Sequence, residues 1–247
     1  MIGERFQLDL VPWIKRFPGE PGTSTIVFPH AGGAAAAYRG FASALCARGV
    51  DTFLVQYPQR GERLAHPAAE SITELAADLL AAADWNRLGP LRLFGHCMGA
   101  LVGFEFTRLA AQRGVTVREL WASASQAPST VEGSRPEPVT DRELLADIVD
   151  LGGTDARLLA DEDFLELLLP AVRADYRAFH RYTCGRDVRI AADIHVIGGD
   201  ADHRAEQDLL RQWQRHTDSV FTFTMMPGGH FYLDDHLDEV AELVSCT

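Results

Sequence analysis

The sequence predicts an α/β fold: a mostly parallel sheet flanked by helices on both faces, carrying a helical insertion. Three observations predict it. Short apolar runs alternate with helical patterns over residues 24–123 and again from residue 194 onward, the rhythm of β-α-β units. Between these stretches, apolar positions keep helical spacing with no strand among them. Finally, the run Leu91-Arg92-Leu93-Phe94 ends in Gly95-His96-Cys97-Met98-Gly99, and a helical pattern (Leu101, Val102, Phe104, Phe106, Leu109) starts at once.

The elements follow in order. Residues 1–22 form a polar, Pro/Gly-rich lead-in with Trp13, Ile14 and Phe17 available to dock it. Thr25–Phe28 reads as a strand broken by Pro29-His30-Ala31-Gly32-Gly33, and Ala34 to Arg48 as a helix. Thr52–Tyr57 is a second strand, stopped by Pro58 and followed by a turn containing Arg60 and Arg63. Ser71 with Glu74 makes a capping box opening a helix through Ala83. The strand before Gly95 comes next, then a helix to about Arg113 and a strand at Leu120–Ser123. Pro128, Pro136 and Pro138 mark a loop, and Thr140 with Glu143 forms another capping box. The helical stretch after it includes Leu144, Ile148, Leu168, Val172, Tyr176 and Phe179. It lies within an insertion at about 128–188 in a single domain of residues 1–247. Its place just after a strand end suits a lid over a site better than a mere scaffold extension. The sheet resumes at Ile194–Ile197, ending in Gly198-Gly199-Asp200-Ala201-Asp202. A helix (Arg204 to His216) and a strand (Phe221–Met226) lead to Pro227-Gly228-Gly229-His230, and a last helix runs from about Asp235.

Composition narrows the function classes. The net charge of -12 over 247 residues argues against nucleic-acid binding, which needs a basic face. No stretch reaches the apolar length of a membrane span, and no secretory leader is expected. Cys46, Cys97, Cys184 and Cys246 are widely and irregularly spaced, as reduced thiols of a cytoplasmic protein would be. No metal site, phosphate loop or dinucleotide motif stands out, so no metal or bound cofactor is expected; a monomer is the default.

The chemistry gathers at strand C-terminal ends, where ligands bind in such sheets. Gly-x-Cys-x-Gly between strand and helix is the setting of the nucleophile elbow of α/β-hydrolases. Cys97, then an acid after a late strand, then His230 after the last strand, is the chain order of that fold's triad. His230 would take the thiol proton or hold it in a thiolate–imidazolium pair, and the acid would accept its other ring N–H. Asp200 and Asp202 both follow the late strand. The backbone N–H groups of Met98 and of the His30–Gly33 loop, that of Ala31 foremost, would bind the oxyanion. His96 is expected to pack inside the fold, His30 to order the oxyanion loop or make a structural hydrogen bond, and Asp234, Asp235 and His236 to cap the last helix.

Taken together the chain resembles the stand-alone type II thioesterases of nonribosomal peptide and polyketide synthesis, over nearly its whole length. The resemblance rests on Phe28-Pro29-His30-Ala31-Gly32-Gly33, Gln56-Tyr57-Pro58 with Arg60 and Arg63, and Gly95-His96-Cys97-Met98-Gly99-Ala100. It continues in Leu169-Pro170-Ala171-Val172-Arg173-Ala174-Asp175-Tyr176, Gly198-Gly199-Asp200-Ala201-Asp202 and Gly228-Gly229-His230-Phe231-Tyr232-Leu233. It favours Asp202 as the acid and implies hydrolysis of acyl or aminoacyl groups from the phosphopantetheine arm of an acyl or peptidyl carrier protein, clearing stalled or misprimed modules beneath a mobile lid. The departure is Cys97, where the family's pattern has serine. It is a natural thiol nucleophile, a replacement made to trap an acyl-enzyme, or a drift toward transfer of the acyl group to an amine or thiol. A non-catalytic carrier-binding module is the alternative from another class. Carrier proteins are commonly acidic, and Arg60, Arg63, Arg173, Arg177 and Arg181 are the candidates for a basic docking patch.

Overall fold

In the computed structural model, which describes residues 12–20, 22, 24–133, 138, 140–153 and 157–246, seven strands form one sheet. They are β1 (Ile14–Phe17), β2 (Ser24–Phe28), β3 (Asp51–Val55), β4 (Leu91–His96), β5 (Val117–Ser123), β6 (Asp193–Gly199) and β7 (Phe221–Met226). The order is β1-β3-β2-β4-β5-β6-β7, with every pairing parallel except that of β1 with β3. Every residue of β2, β3 and β4 is buried, because helices cover both faces and leave no solvated side. The pleat divides the side chains between two cores. Ile26 and Phe28 face a core shared with α2 (Ile72–Ala81) and α3 (Met98–Gln112), whereas Val27 faces one shared with α1 (Arg39–Cys46) and α7 (Leu237–Ser245).

Several boundaries differ from the sequence expectation for identifiable reasons. The lead-in contributes an edge strand: Ile14 pairs with Val55, and Arg16 reaches Asp51 at 2.8 Å. The helix expected from Ala34 begins as a 3-10 turn at Ala35–Tyr38 before α1, placing the Tyr38 hydroxyl against the His30 ring. The helix expected from Arg204 starts later, as α6 (Gln207–Arg211), and continues as a 3-10 turn through His216. Asp202 takes the N–H groups of Arg204 and Ala205 and holds that segment in a turn. The Thr140–Glu143 capping box is complete at the start of α4 (Asp141–Leu151). The one at α2 is half formed: Ser71 accepts from the Glu74 N–H, but the Glu74 carboxylate reaches back to the N–H of Glu70 instead of Ser71.

Between β5 and β6 lie α4 and the long α5 (Glu162–His180), in which Leu144, Ile148 and Val172 make a small core of their own. Pro138 lies in the loop before α4; Pro136 is outside the described residues. Among the described residues, no helix is long and apolar enough to cross a membrane.

Candidate active site

Strand β4 and helix α3 are joined by Cys97 alone, which takes φ 53° and ψ −121°. A non-glycine residue in such a conformation costs on the order of 1–3 kcal/mol and persists only where its surroundings over-determine it. The surroundings here are explicit. A Cβ on Gly99 would lie 2.1 Å from the Phe28 carbonyl oxygen, and one on Gly95 would lie 2.4 Å from the Ala100 nitrogen. The Cys97 N–H is also held by the Ser123 carbonyl at 2.8 Å. Only glycines let α3 start this close to β2 and β4, and that proximity turns the half-buried Cys97 into the cleft.

His230 and Asp202 meet beside it. His230 Nδ1 is 2.8 Å from Asp202 Oδ2, both groups being buried. The other carboxylate oxygen accepts the Arg204 N–H at 2.8 Å and the Ala205 N–H at 3.2 Å. Burial pushes the Asp202 carboxyl up, but the His230 hydrogen bond and charge and these two N–H groups outweigh it and hold it below its ordinary value. Burial likewise opposes charge on His230, yet Cys97 and Asp202 together raise it to about 10. Its Nε2 is buried with no hydrogen-bond partner among the described residues. Of the two candidate acids, only Asp202 contacts the ring. Asp200 is exposed and accepts the Gly228 N–H at 2.9 Å, bracing the loop that carries His230.

The loop after β2 is a tight turn closed by the Gly33 N–H on the His30 carbonyl at 2.9 Å, with Gly32 at φ 78°. The His30 N–H reaches the Tyr38 hydroxyl at 3.2 Å, and the Gly32 N–H reaches Asp175 Oδ2 at 2.7 Å. Of the four N–H groups from His30 to Gly33, that of Ala31 is the one without an acceptor among the described residues. Met98 opens α3, so its N–H also has no intrahelical acceptor. Among the described residues both donors assigned from sequence are therefore uncommitted, and Ala31 lines the same cleft as Cys97.

The remaining histidines sort themselves. His96 is buried, with Nδ1 2.9 Å from the Ser123 hydroxyl and its ring stacked on Phe231 and 5.4 Å from that of His230. Burial holds it well below its ordinary value, reinforced by His230 and His30. His30, pushed down to about 3 by burial and by the charges of His230 and Arg60, sets its Nδ1 2.7 Å from Tyr38. Both are neutral at pH 7. The expectation for Asp234, Asp235 and His236 does not hold: His236 occupies the position before α7 with no side-chain cap bond, and Asp234 belongs to a 3-10 turn preceding it. Among the described residues no group of His, Cys, Asp and Glu could hold a metal.

Two of the five arginines offered for a docking patch are not on the surface. Arg60 is buried in an ion pair with Asp175, and Arg63 is buried with its guanidinium 3.4 Å from the centre of the Trp13 ring. Single-sequence reading takes arginine as solvated, and only a contact between distant segments reveals otherwise. Arg173 pairs with Asp141, and Arg177 and Arg181 are exposed.

A family model described as a thioesterase domain matches residues 24–246. The chain belongs to the thioesterase family. It is 61% identical over 236 residues to phenyloxazoline synthase MbtB of Mycobacterium tuberculosis, a match covering 95% of this chain and 17% of that protein. The chain thus spans 17% of the length of this relative. Thioesterase PikA5 of Streptomyces venezuelae is 38% identical, covering 99% of this chain and 88% of its own. Among solved structures, the type II thioesterase BorB from the borrelidin biosynthetic cluster matches with a TM-score of 0.85 at 36% identity, covering 98% of each chain.

In this thioesterase the cleft over Cys97 holds about 140 Å³. Its floor is the carboxyl edge of the sheet, and its wall is Ile148 and Leu151 of α4 with Leu168, Val172, Tyr176 and Phe179 of α5. Arg204 ties that wall to the floor: its guanidinium pairs with Asp147 and, at 2.7 Å, with Asp150, while Tyr176 donates to Asp147 at 2.8 Å. These partners lie more than 25 residues apart in sequence, which is why no local pattern announced them. Gly153 abuts the Phe231 ring, where a Cβ would come within 2.5 Å.

Proposed function

We propose that this thioesterase hydrolyses acyl or aminoacyl groups from the phosphopantetheine thioester of an acyl or peptidyl carrier protein, removing stalled or misprimed groups from polyketide or nonribosomal peptide modules. One observation carries the reading. A thiol on a strained elbow faces a cleft beside a buried His230–Asp202 pair, with the Ala31 and Met98 N–H groups uncommitted among the described residues. His230 is an imidazolium at neutral pH and can pair with the Cys97 thiolate. The sulfur attacks the substrate carbonyl, and the oxyanion is held by the two N–H groups. As the intermediate collapses, the pantetheine sulfur leaves and takes the proton from His230. The neutral imidazole then accepts a proton from water, whose oxygen attacks the acyl-Cys97 carbonyl; Cys97 sulfur departs and the acid is released. No cofactor of its own is required, since the pantetheine belongs to the partner. Helices α4 and α5 serve as the lid, and of the five arginines Arg177 and Arg181 are the ones exposed for carrier docking.

Cys97 favours a second reading. Attack by sulfur on a thioester exchanges like for like, so the acyl-enzyme stays activated toward an amine or thiol acceptor. Intact-protein mass spectrometry after mixing with an acetyl- or aminoacyl-loaded carrier separates the readings. An adduct on Cys97 that decays to free acid supports hydrolysis; one that persists in water but discharges onto an added amine supports transfer. If the carrier is never unloaded and Cys97 never gains mass across a broad acyl panel, the chain is a carrier-binding module instead.

A further inference from the structure

The carboxylate of Asp175, on the cleft-lining helix α5, joins three segments far apart in sequence. Its Oδ2 accepts the Gly32 N–H at 2.7 Å and Arg60 Nη1 at 2.7 Å, and its Oδ1 accepts Arg60 Nη2 at 2.9 Å. Arg60 spends its other donors on backbone: Nε on the Pro58 carbonyl at 2.9 Å, and Nη1 also on the Gly33 carbonyl at 3.3 Å. The two side chains are only 8% and 9% exposed. A buried ion pair is a poor source of stability, because desolvating the charges offsets most of their attraction. What this pair does have is direction, since both partners bond the turn that contains Ala31.

We propose that Asp175 and Arg60 are positioning residues for the Ala31 N–H, so that lid helix α5 holds the oxyanion site in shape. The proposal rests on the catalytic reading above. Each peptide plane is rigid. The plane after Ala31 is pinned through the Gly32 N–H on Asp175, and the plane before His30 through the His30 N–H on the Tyr38 hydroxyl. The Ala31 N–H lies between these anchors, and the turn's own closure, Gly33 N–H to His30 carbonyl, completes the restraint. Such a donor needs no reorganisation when negative charge develops on a substrate oxygen. The fit of α5 against the loop is also steric: a Cβ on Gly32 would lie 2.6 Å from Val172 Cγ2, one turn before Asp175. Because Val172 and Tyr176 also line the cleft, one helix carries both the wall of the acyl site and the anchor of the oxyanion donor.

The test compares Asp175→Asn, Arg60→Met, Arg60→Lys and Tyr38→Phe by two readouts. The first is the pH profile of Cys97 alkylation by iodoacetamide, which needs the thiolate–imidazolium pair but no oxyanion donor. The second is kcat and KM with an acetyl-pantetheine thioester. We expect Asp175→Asn and Arg60→Met to lose about 10²-fold in kcat, the size of one misplaced oxyanion donor, with KM within about threefold and the alkylation profile unmoved. Arg60→Lys should recover about tenfold of the loss, since it keeps the charge, and Tyr38→Phe, a mild change that leaves the ion pair intact, should lose about tenfold. The proposal is overturned if these variants keep wild-type kcat, or if alkylation falls in step with turnover. Should wild-type Cys97 be neither acylated nor alkylated faster than a free thiol, the catalytic reading itself fails, a result distinct from failure of the clamp alone.

Discussion

Replacing Asp202 by asparagine keeps the shape of the side chain and removes its charge. In the native site one carboxylate oxygen faces His230 Nδ1 at 2.8 Å, and the other takes two backbone N–H groups, with the side chain fully enclosed. The amide can keep its oxygen on the Arg204 and Ala205 N–H groups, so its NH2 is forced toward Nδ1. Two losses follow. A hydrogen bond to a charged group contributes about 1.5–3 kcal/mol, which alone is about 10- to 150-fold in rate. The ring is also driven to the tautomer with its proton on Nε2, where the Cys97 proton must go; the equivalent exchange in a serine triad costs about 10⁴. We therefore expect kcat to fall by about 10³–10⁴ and Tm by only several degrees, at about 2–4 °C per kcal/mol for a domain of this size. Single-turnover release of acid from a loaded carrier measures the first, and calorimetry the second. Iodoacetamide reactivity of Cys97 should fall, since the variant weakens the imidazolium that would hold a thiolate. The pH dependence of stability has a definite sign. Because Asp202 sits below its ordinary value when folded, its stabilisation is complete above about pH 4 and disappears as pH falls through the folded value. The stability gap between wild type and variant should close in that acid window. Retention of kcat within tenfold, with Tm and the alkylation profile unchanged, would refute the role given to Asp202.

Further outcomes follow from the same geometry. Asp200→Asn should cost less than about fivefold in kcat, because that carboxylate is exposed and, among the described residues, holds the Gly228 N–H alone, a bond of about 1 kcal/mol or less. Cys97→Ser should shift partitioning of the acyl-enzyme away from an added amine by about tenfold or more, ~1.4 kcal/mol, read as the amide-to-acid product ratio by chromatography; an unchanged ratio would show that the sulfur does not govern acceptor choice. Gly99→Ala should yield little folded protein, since its Cβ would meet the Phe28 carbonyl at 2.1 Å, as circular dichroism and solubility would report. Arg204→Gln removes the guanidinium that joins Asp147 and Asp150, leaving Tyr176 on the first and His203 on the second, and should speed hydrogen exchange in α4 about tenfold while β4 is unaffected.

Much of this fold is local in origin and could be read from the chain. Leu91–Phe94 followed by Gly-x-Cys-x-Gly is the local pattern of a strand and helix meeting at a single strained residue, and Cys97 takes that conformation. The Thr140–Glu143 box is complete within four residues and needs no other part of the protein. Where local signals failed, a distant partner had intervened. The lead-in became a strand because β3 had an open edge, and the helix expected from Arg204 was delayed because Asp202 captured its first N–H groups.

By itself, then, the sequence determined the order of the elements, the elbow and the placing of Cys97, Asp202 and His230 at strand ends, because backbone sterics and apolar periodicity act over a few residues. The resemblance already favoured Asp202 over Asp200; the tertiary structure alone decided that Arg60 turns inward to Asp175 and that Arg204 bridges to α4. Those choices depend on distances between segments tens of residues apart, and on the cost of burying a charge unless a partner from elsewhere in the chain arrives to meet it.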